Sequence, residues 1–87
     1  MRVTVRLFAR LHDIVGANEL TRNVPPHASV KTIWDQLVTE FPALGAYAAS
    51  ISAAVNADYA RMDTTVADGD EVAFLPPVSG GSRRDEG

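Results

Sequence analysis

The chain has 87 residues, which is the size of one small domain. Its composition, 46% hydrophobic and 22% charged, is that of a globular protein rather than a disordered one. The formal net charge is −3 and the basic residues are scattered along the chain, which argues against a nucleic-acid-binding surface.

Cysteine is absent, which excludes a disulfide, a thiolate zinc site and a cysteine nucleophile. The first ten residues, MRVTVRLFAR, interleave charged and apolar side chains, unlike the uninterrupted apolar stretch of a signal peptide. No apolar run approaches the roughly 20 residues of a membrane span. We therefore expect a cytoplasmic protein that binds neither nucleic acid nor a membrane.

The first third of the chain predicts two strands with a short helix between them. Residues 2–8 alternate strictly, which is typical of a half-buried strand. One face of this strand carries Val3, Val5 and Leu7, and the other carries Thr4, Arg6 and Phe8. Apolar residues at helical spacing follow within residues 9–19, and residues 20–26 alternate again until two prolines stop the second strand. The two strands are expected to form a hairpin-like pair with a long connection.

The clearest element is an amphipathic helix at about residues 29–41. Ser29 has the side chain of an N-cap, and Pro42 ends the helix. The apolar stripe that defines the helix consists of Val30, Ile33, Trp34, Leu37, Val38 and Phe41. At this spacing, the stripe indicates a core-facing surface rather than a ligand-binding one.

The last half of the chain predicts two further strands. Residues 43–51 indicate a turn and a short helical piece, and residues 52–60 a short strand followed by a turn at 56–58. Asp68-Gly69 is a strong turn signal before a final strand at 71–75. The expected fold is α+β, with a sheet of four to five strands packed on one main helix. Residues 1–78 should form the domain, and residues 79–87 a flexible tail.

A self-sufficient active site is hard to find. His12 and His27 have no zinc-binding spacing, and no G-x-S-x-G nucleophile motif is present. The acidic cluster at residues 68–71 lacks the remaining ligands of a calcium loop and indicates a hairpin turn. Gly80-Gly81 lacks the strand–loop–helix context of a phosphate-binding loop. We expect no metal and no bound cofactor, and no catalysis by the chain alone.

Exposed apolar residues near the final strand suggest a partner surface. Phe8 lies on the polar face of the first strand, where the sequence leaves its exposure open. In the final strand, Phe74 shares one face with Val72, while Leu75 shares the other with Ala73, and one of these sets must face outward.

The order strand–strand–helix–strand–strand is that of the ubiquitin-like β-grasp fold. Residues 1–81 resemble the small subunit of molybdopterin synthase, the MoaD family, in three segments. These are RLFARLHDIVG, the helix, and the stretch VNADYARMDTTVADGDEVAFLPPVSGG. The specific part is DGDEVAFLPPVSGG, in which turn, strand, Pro-Pro and Gly-Gly fall in the family's order.

The resemblance implies a sulfur carrier. An adenylating enzyme uses ATP to activate the terminal glycine carboxylate, a sulfur donor converts it into a thiocarboxylate, and the tail enters the large synthase subunit. There it gives sulfur to a pterin precursor, forming the dithiolene of molybdopterin. The position that matches the sulfur-bearing glycine is Gly81, with Gly80 beside it. The partner-binding residues expected in this case are Phe8, Phe74, Leu75, Pro76, Pro77 and Val78.

The chain departs from the family's pattern in two ways. Ala57 stands where the family commonly has glycine, and residues 82–87 follow the Gly-Gly pair, so that Gly81's carbonyl is held in a peptide bond. One hypothesis is a carrier precursor from which a protease removes residues 82–87. A second is a β-grasp interaction module that carries no sulfur. A third is a carrier for thiamine or cysteine synthesis, because related carriers share the Gly-Gly end.

Overall fold

The computed structural model of the chain describes residues 1–77. This range contains five strands, two α-helices and one 3-10 helix. In chain order the elements are β1 (Arg2–Leu7), α1 (Arg10–Val15), β2 (Glu19–Asn23), α2 (Val30–Glu40), the 3-10 helix (Pro42–Tyr47), β3 (Ser52–Val55), β4 (Asp58–Ala60) and β5 (Glu71–Leu75). Neither α1 nor α2 is long and apolar enough to cross a membrane.

The strands form one mixed sheet in the order β2-β1-β5-β3-β4. The central pair, β1 and β5, is parallel, and the other neighbours are antiparallel. The predicted pairing of the first two strands is confirmed, since β1 and β2 are antiparallel neighbours. The α+β expectation is confirmed as well, with the strand number settled at five.

The region 52–60 forms two strands rather than one strand and a turn. Asn56 and Ala57 have φ of 51° and 73°, so both central residues of the connection are left-handed. This is the backbone of a type I′ hairpin turn, whose twist matches that of the flanking strands. The predicted turn therefore joins β3 to an additional strand, β4, which the sequence analysis did not distinguish from the turn.

Helix α2 begins and ends as its sequence predicts. The Ser29 hydroxyl accepts a hydrogen bond from the Thr32 amide, and the Thr32 hydroxyl accepts one from the Ser29 amide, both at 3.2 Å. This reciprocal capping satisfies two backbone donors that a helix start would leave unpaired. The side chains of α2 that are buried against the sheet are Val30, Ile33, Trp34 and Leu37.

The core lies between α2 and one face of the sheet. Strand β1 contributes Val3, Val5 and Leu7, all at most 1% exposed. Strand β5 contributes Val72 and Phe74, both fully buried, and the Phe74 ring lies 5.1 Å from Trp34, centroid to centroid, with a tilt of 51°. The expectation that Phe74 contacts a partner is therefore wrong, because β5 turns this face toward α2.

We expect Phe74→Ala to lower the free energy of unfolding by about 3–5 kcal/mol, because it removes a buried ring and leaves a cavity beside Trp34. Leu75→Ala is the matched control, one residue away on the opposite, half-buried face. Urea unfolding followed by tryptophan fluorescence measures both variants. Equal losses would contradict the assignment of the two faces.

Candidate functional site

The face of the sheet opposite α2 is not covered by any element of residues 1–77 and contains a cleft of about 360 Å³. We call this feature the open-face cleft. The residues that define it here are Arg6, Phe8, Tyr59, Glu71, Ala73 and Leu75. Phe8 and Tyr59, the two large apolar side chains that the described chain leaves exposed, are 40% and 86% exposed. Such a patch is typical of a partner-binding surface.

The register of the two central strands assembles this cleft. Arg6 lies opposite Ala73 and Leu7 opposite Phe74 in the parallel pairing of β1 with β5. Because side chains alternate across a strand, Arg6 and Ala73 point away from the core that Leu7 and Phe74 fill. The same alternation places Leu75 on the open face, where β5 ends.

The β5 end of the cleft is also where the chain leaves the sheet. Pro76 is half-buried and Pro77 is exposed. Neither proline has a backbone N–H, so neither can continue the hydrogen-bond ladder of β5. The chain therefore leaves β5 directly after Leu75, which lines the open-face cleft.

Two charged side chains lie within the otherwise apolar cleft. The Arg6 Nη1 and Glu71 Oε2 atoms are 3.5 Å apart, and the two side chains are 42% and 44% exposed. The Arg6 guanidinium carbon also lies 5.7 Å from the centroid of the Phe8 ring, within cation–π range. Arg6 thus contacts both the charged side chain of Glu71 and the aromatic ring of Phe8.

The acidic cluster forms the turns that start β5. The Asp70 carboxylate accepts hydrogen bonds from the Ala67 amide at 2.8 Å and from the Asn56 side chain at 2.9 Å. The Asn56 side-chain oxygen accepts from the Glu71 amide at 2.9 Å. Gly69, with φ of 88°, provides the left-handed residue of the predicted turn.

Metal binding finds no support in the described part of the chain. Within residues 1–77, no three His, Asp or Glu side chains are grouped so that they could hold a metal ion. The carboxylate of Asp70 is already bonded to the turn that it holds.

The sequence-predicted site residues divide into three groups. Phe8 is at the surface and lines the open-face cleft with Leu75, and Pro76 and Pro77 follow directly. Phe74 is in the core. Val78, Gly80 and Gly81 lie outside the described residues.

Tyr59 and Arg6 are cleft residues that the sequence did not single out. Tyr59 lies opposite Ala54 in the β3–β4 pairing, so it reaches the cleft only through β4. The signal for Arg6 was present, since it shares a face with Phe8 in the alternation of β1.

The model of the ThiS family matches residues 5–81. The chain belongs to the ThiS family. A relative of this ThiS-family chain is the molybdopterin synthase sulfur carrier subunit of Chlamydomonas reinhardtii, 35% identical, with 93% of this chain and 100% of the relative covered. Relatives of this kind support a sulfur-carrier role in molybdenum cofactor biosynthesis, and the ThiS family also fits carriers of other pathways.

Solved structures confirm the β-grasp expectation. The crystal structure of SAMP1, small archaeal modifier protein 1, from Haloferax volcanii has a TM-score of 0.80 at 31% identity, covering 93% of this ThiS-family chain and 100% of that chain. A chain in the complex of subunits 1 and 2 of molybdopterin-converting factor from Helicobacter pylori shares the fold, with a TM-score of 0.65 at 24% identity. In that comparison 93% of this chain and 100% of the other are covered.

We expect Tyr59→Thr to change the free energy of unfolding by no more than about 0.5 kcal/mol, because an exposed side chain contributes little to the core and threonine retains strand preference. Urea unfolding measures this variant beside the wild type. A loss comparable to that of a core substitution would show that Tyr59 belongs to the hydrophobic core rather than to the cleft.

Proposed function

We propose that this chain carries sulfur as a thiocarboxylate on Gly81 and gives it to a pterin precursor in molybdopterin synthesis. One observation carries the proposal. An exposed apolar cleft lies where β5 ends, and the family match continues through the Gly-Gly pair at residues 80–81. A partner that binds the cleft is therefore positioned to receive the Gly81 end.

The chemistry explains why such a carrier needs partner enzymes. A carboxylate is a poor electrophile, so the adenylating enzyme joins it to AMP from ATP with release of pyrophosphate. Sulfide-level sulfur from the donor then attacks the acyl carbon, a C–S bond forms, and AMP leaves. The thiocarboxylate sulfur then forms a C–S bond to the pterin precursor and displaces an oxygen group there. Water cleaves the acyl C–S bond, which restores the carboxylate and leaves the sulfur on the pterin. The carrier supplies the acyl group, and its partners supply the catalysis.

The length of residues 78–81 suits delivery of Gly81 to a partner's active site. Residues 78–81, when extended, span at most roughly 13 Å at about 3.3 Å per residue. This length lets Gly81 enter a pocket while the open-face cleft binds outside it. Glycine leaves the backbone free of side chains at the reacting end, so a narrow site can enclose it.

The proposed partners are the large synthase subunit, the adenylating enzyme and a sulfur donor. The use of ATP agrees with the cytoplasmic location expected from the sequence. A processing protease is the fourth proposed partner, because residues 82–87 hold the Gly81 carbonyl in a peptide bond. Removal of these residues frees the carboxyl group that is to be adenylated.

The likeness to a small archaeal modifier protein favours a second candidate function. In this case an amine of another protein, rather than sulfur, attacks the Gly81 acyl-adenylate, an amide forms, and AMP and a proton leave. Mass spectrometry of proteins from the native cell distinguishes the two, because the amide joins Gly81 to a lysine of a second protein. Carriers for thiamine or cysteine synthesis differ only in the acceptor of the sulfur.

We expect the chain that ends at Gly81 to form an acyl-adenylate with the adenylating enzyme and ATP, while the full 87-residue chain does not. The reason is that only the shorter form has a free Gly81 carboxyl. Intact-mass measurement detects the adenylate, and a chain that ends at Gly80 controls for any free C-terminal glycine.

Two outcomes would contradict this maturation scheme. One is adenylation of the full chain at Gly87 as efficiently as of the shorter form. The other is native protein that keeps all 87 residues while the pathway is active. Failure of both forms to react would instead favour an interaction module without carrier chemistry.

We expect Phe8→Ala to weaken binding of the large synthase subunit about tenfold or more, because exposed aromatic anchors carry most of the binding energy at such surfaces. Calorimetric titration measures the dissociation constant. Asp63→Ala, at an exposed position outside the cleft, is the control and should bind like the wild type. Unchanged binding by Phe8→Ala would show that the docking surface lies outside the cleft.

A further inference from the structure

Arg6 is a cation whose hydrogen-bonding groups are only partly used. Its Nε atom is buried and has no hydrogen-bond partner among residues 1–77. Its Nη1 atom lies 3.5 Å from the Glu71 carboxylate, which is long for a charge-assisted hydrogen bond. The buried Nε is out of reach of another protein, but the side chain as a whole is 42% exposed. Because the pair with Glu71 is long, the Nη groups can take an additional acceptor from outside the chain.

Arg22 of the same chain forms a shorter ion pair and serves as a comparison. Arg22 contacts Glu40 at 2.8 Å, between β2 and α2 on the other side of the molecule. Its Nε atom also lacks a partner, but its charge is matched at short range. Arg6 has the longer pair, and it lies in the exposed apolar cleft rather than against a helix.

We propose that the partner protein inserts an aspartate or glutamate carboxylate, flanked by an apolar side chain, into the open-face cleft. The carboxylate accepts hydrogen bonds from the Nη atoms of Arg6, and the apolar neighbour packs on Phe8 and Leu75. This inference rests on the proposed function, and it names the chemistry of the surface that the partner presents.

The match follows from the shape and surroundings of the guanidinium group. A carboxylate has the planar, two-oxygen geometry that two parallel N–H groups of a guanidinium bind, and the Nη groups of Arg6 provide them. Phe8, Tyr59 and Leu75 exclude water from the bound pair, which strengthens its electrostatic attraction. Because the chain as a whole has a net charge of −3, an acidic partner group is attracted at Arg6 and repelled by much of the remaining surface. Arg6 thus sets the register of docking, while the apolar residues supply contact area.

A second copy of this chain is the rival occupant. Arg6 and Glu71 lie side by side, so a two-fold dimer could pair each Arg6 with the other copy's Glu71. The concentration dependence of the molecular mass in solution detects such a dimer.

The test compares Arg6→Leu with Arg61→Leu in binding to the large synthase subunit at several salt concentrations. Both variants lose one positive charge, but Arg61 lies outside the cleft, with a side chain that is 88% exposed. We expect Arg6→Leu to weaken binding at least tenfold and to reduce its salt dependence, and Arg61→Leu to stay within about threefold. Thermal unfolding of each variant shows whether the fold is retained.

Charge reversal separates recognition from a structural role. Arg6→Glu should abolish binding, and a single Asp→Arg or Glu→Arg change in the large subunit should restore it. A purely structural Arg6 could not be rescued by a substitution in the partner.

The outcomes separate this inference from the proposed function. If the wild type, as full chain and as the Gly81-ended form, does not bind the large subunit, the proposed function fails and this inference with it. If the wild type binds and Arg6→Leu binds equally well or more tightly, only the carboxylate inference is overturned. A wild-type dimer that Arg6→Leu abolishes would also overturn it, because the cleft would then bind a second copy.

Discussion

The parallel pairing of β1 with β5 is the constraint on which the rest of the molecule depends. These strands are neighbours at the centre of the sheet, although they come from opposite ends of the described chain. Their register joins Val5 to Val72 and Leu7 to Phe74 on the core side, and Arg6 to Ala73 on the open side. One set of backbone hydrogen bonds therefore determines both the core under α2 and the cleft on the other face.

This arrangement gives adjacent residues of β5 separate tasks. Phe74 packs against Trp34 and has no exposed surface, while Leu75 lines the cleft. The two-residue period of a strand divides these roles without any change in backbone structure. The turn held by Asp70 and Gly69 fixes where β5 starts, so it also fixes which residue faces which side. A shift of one residue would exchange the core and the cleft.

The sequence could predict elements whose signals are local. Helix α2 was predictable because Ser29 and the apolar stripe agree, and β1 because its alternation has only one apolar face. In β5 both faces are apolar, so the sequence alone could not assign Phe74 to the core. That choice is made by the long-range pairing with β1. Tyr59 was missed for a related reason, because its role depends on β4 pairing with β3. The roles of Gly80 and Gly81 come from the family resemblance, and both lie outside the described residues.

The position of the buried residues along the chain has a consequence for turnover. Every fully buried apolar side chain of the described range lies between Val3 and Phe74. Within residues 1–77, the buried core thus ends before Pro76. In the proposed function, adenylation, sulfur loading and hydrolysis take place at Gly81, beyond Phe74, the last fully buried residue of the described range. The proposed reactions would then leave the buried contacts of residues 1–77 intact, so that one folded domain would serve repeated rounds of sulfur loading and release.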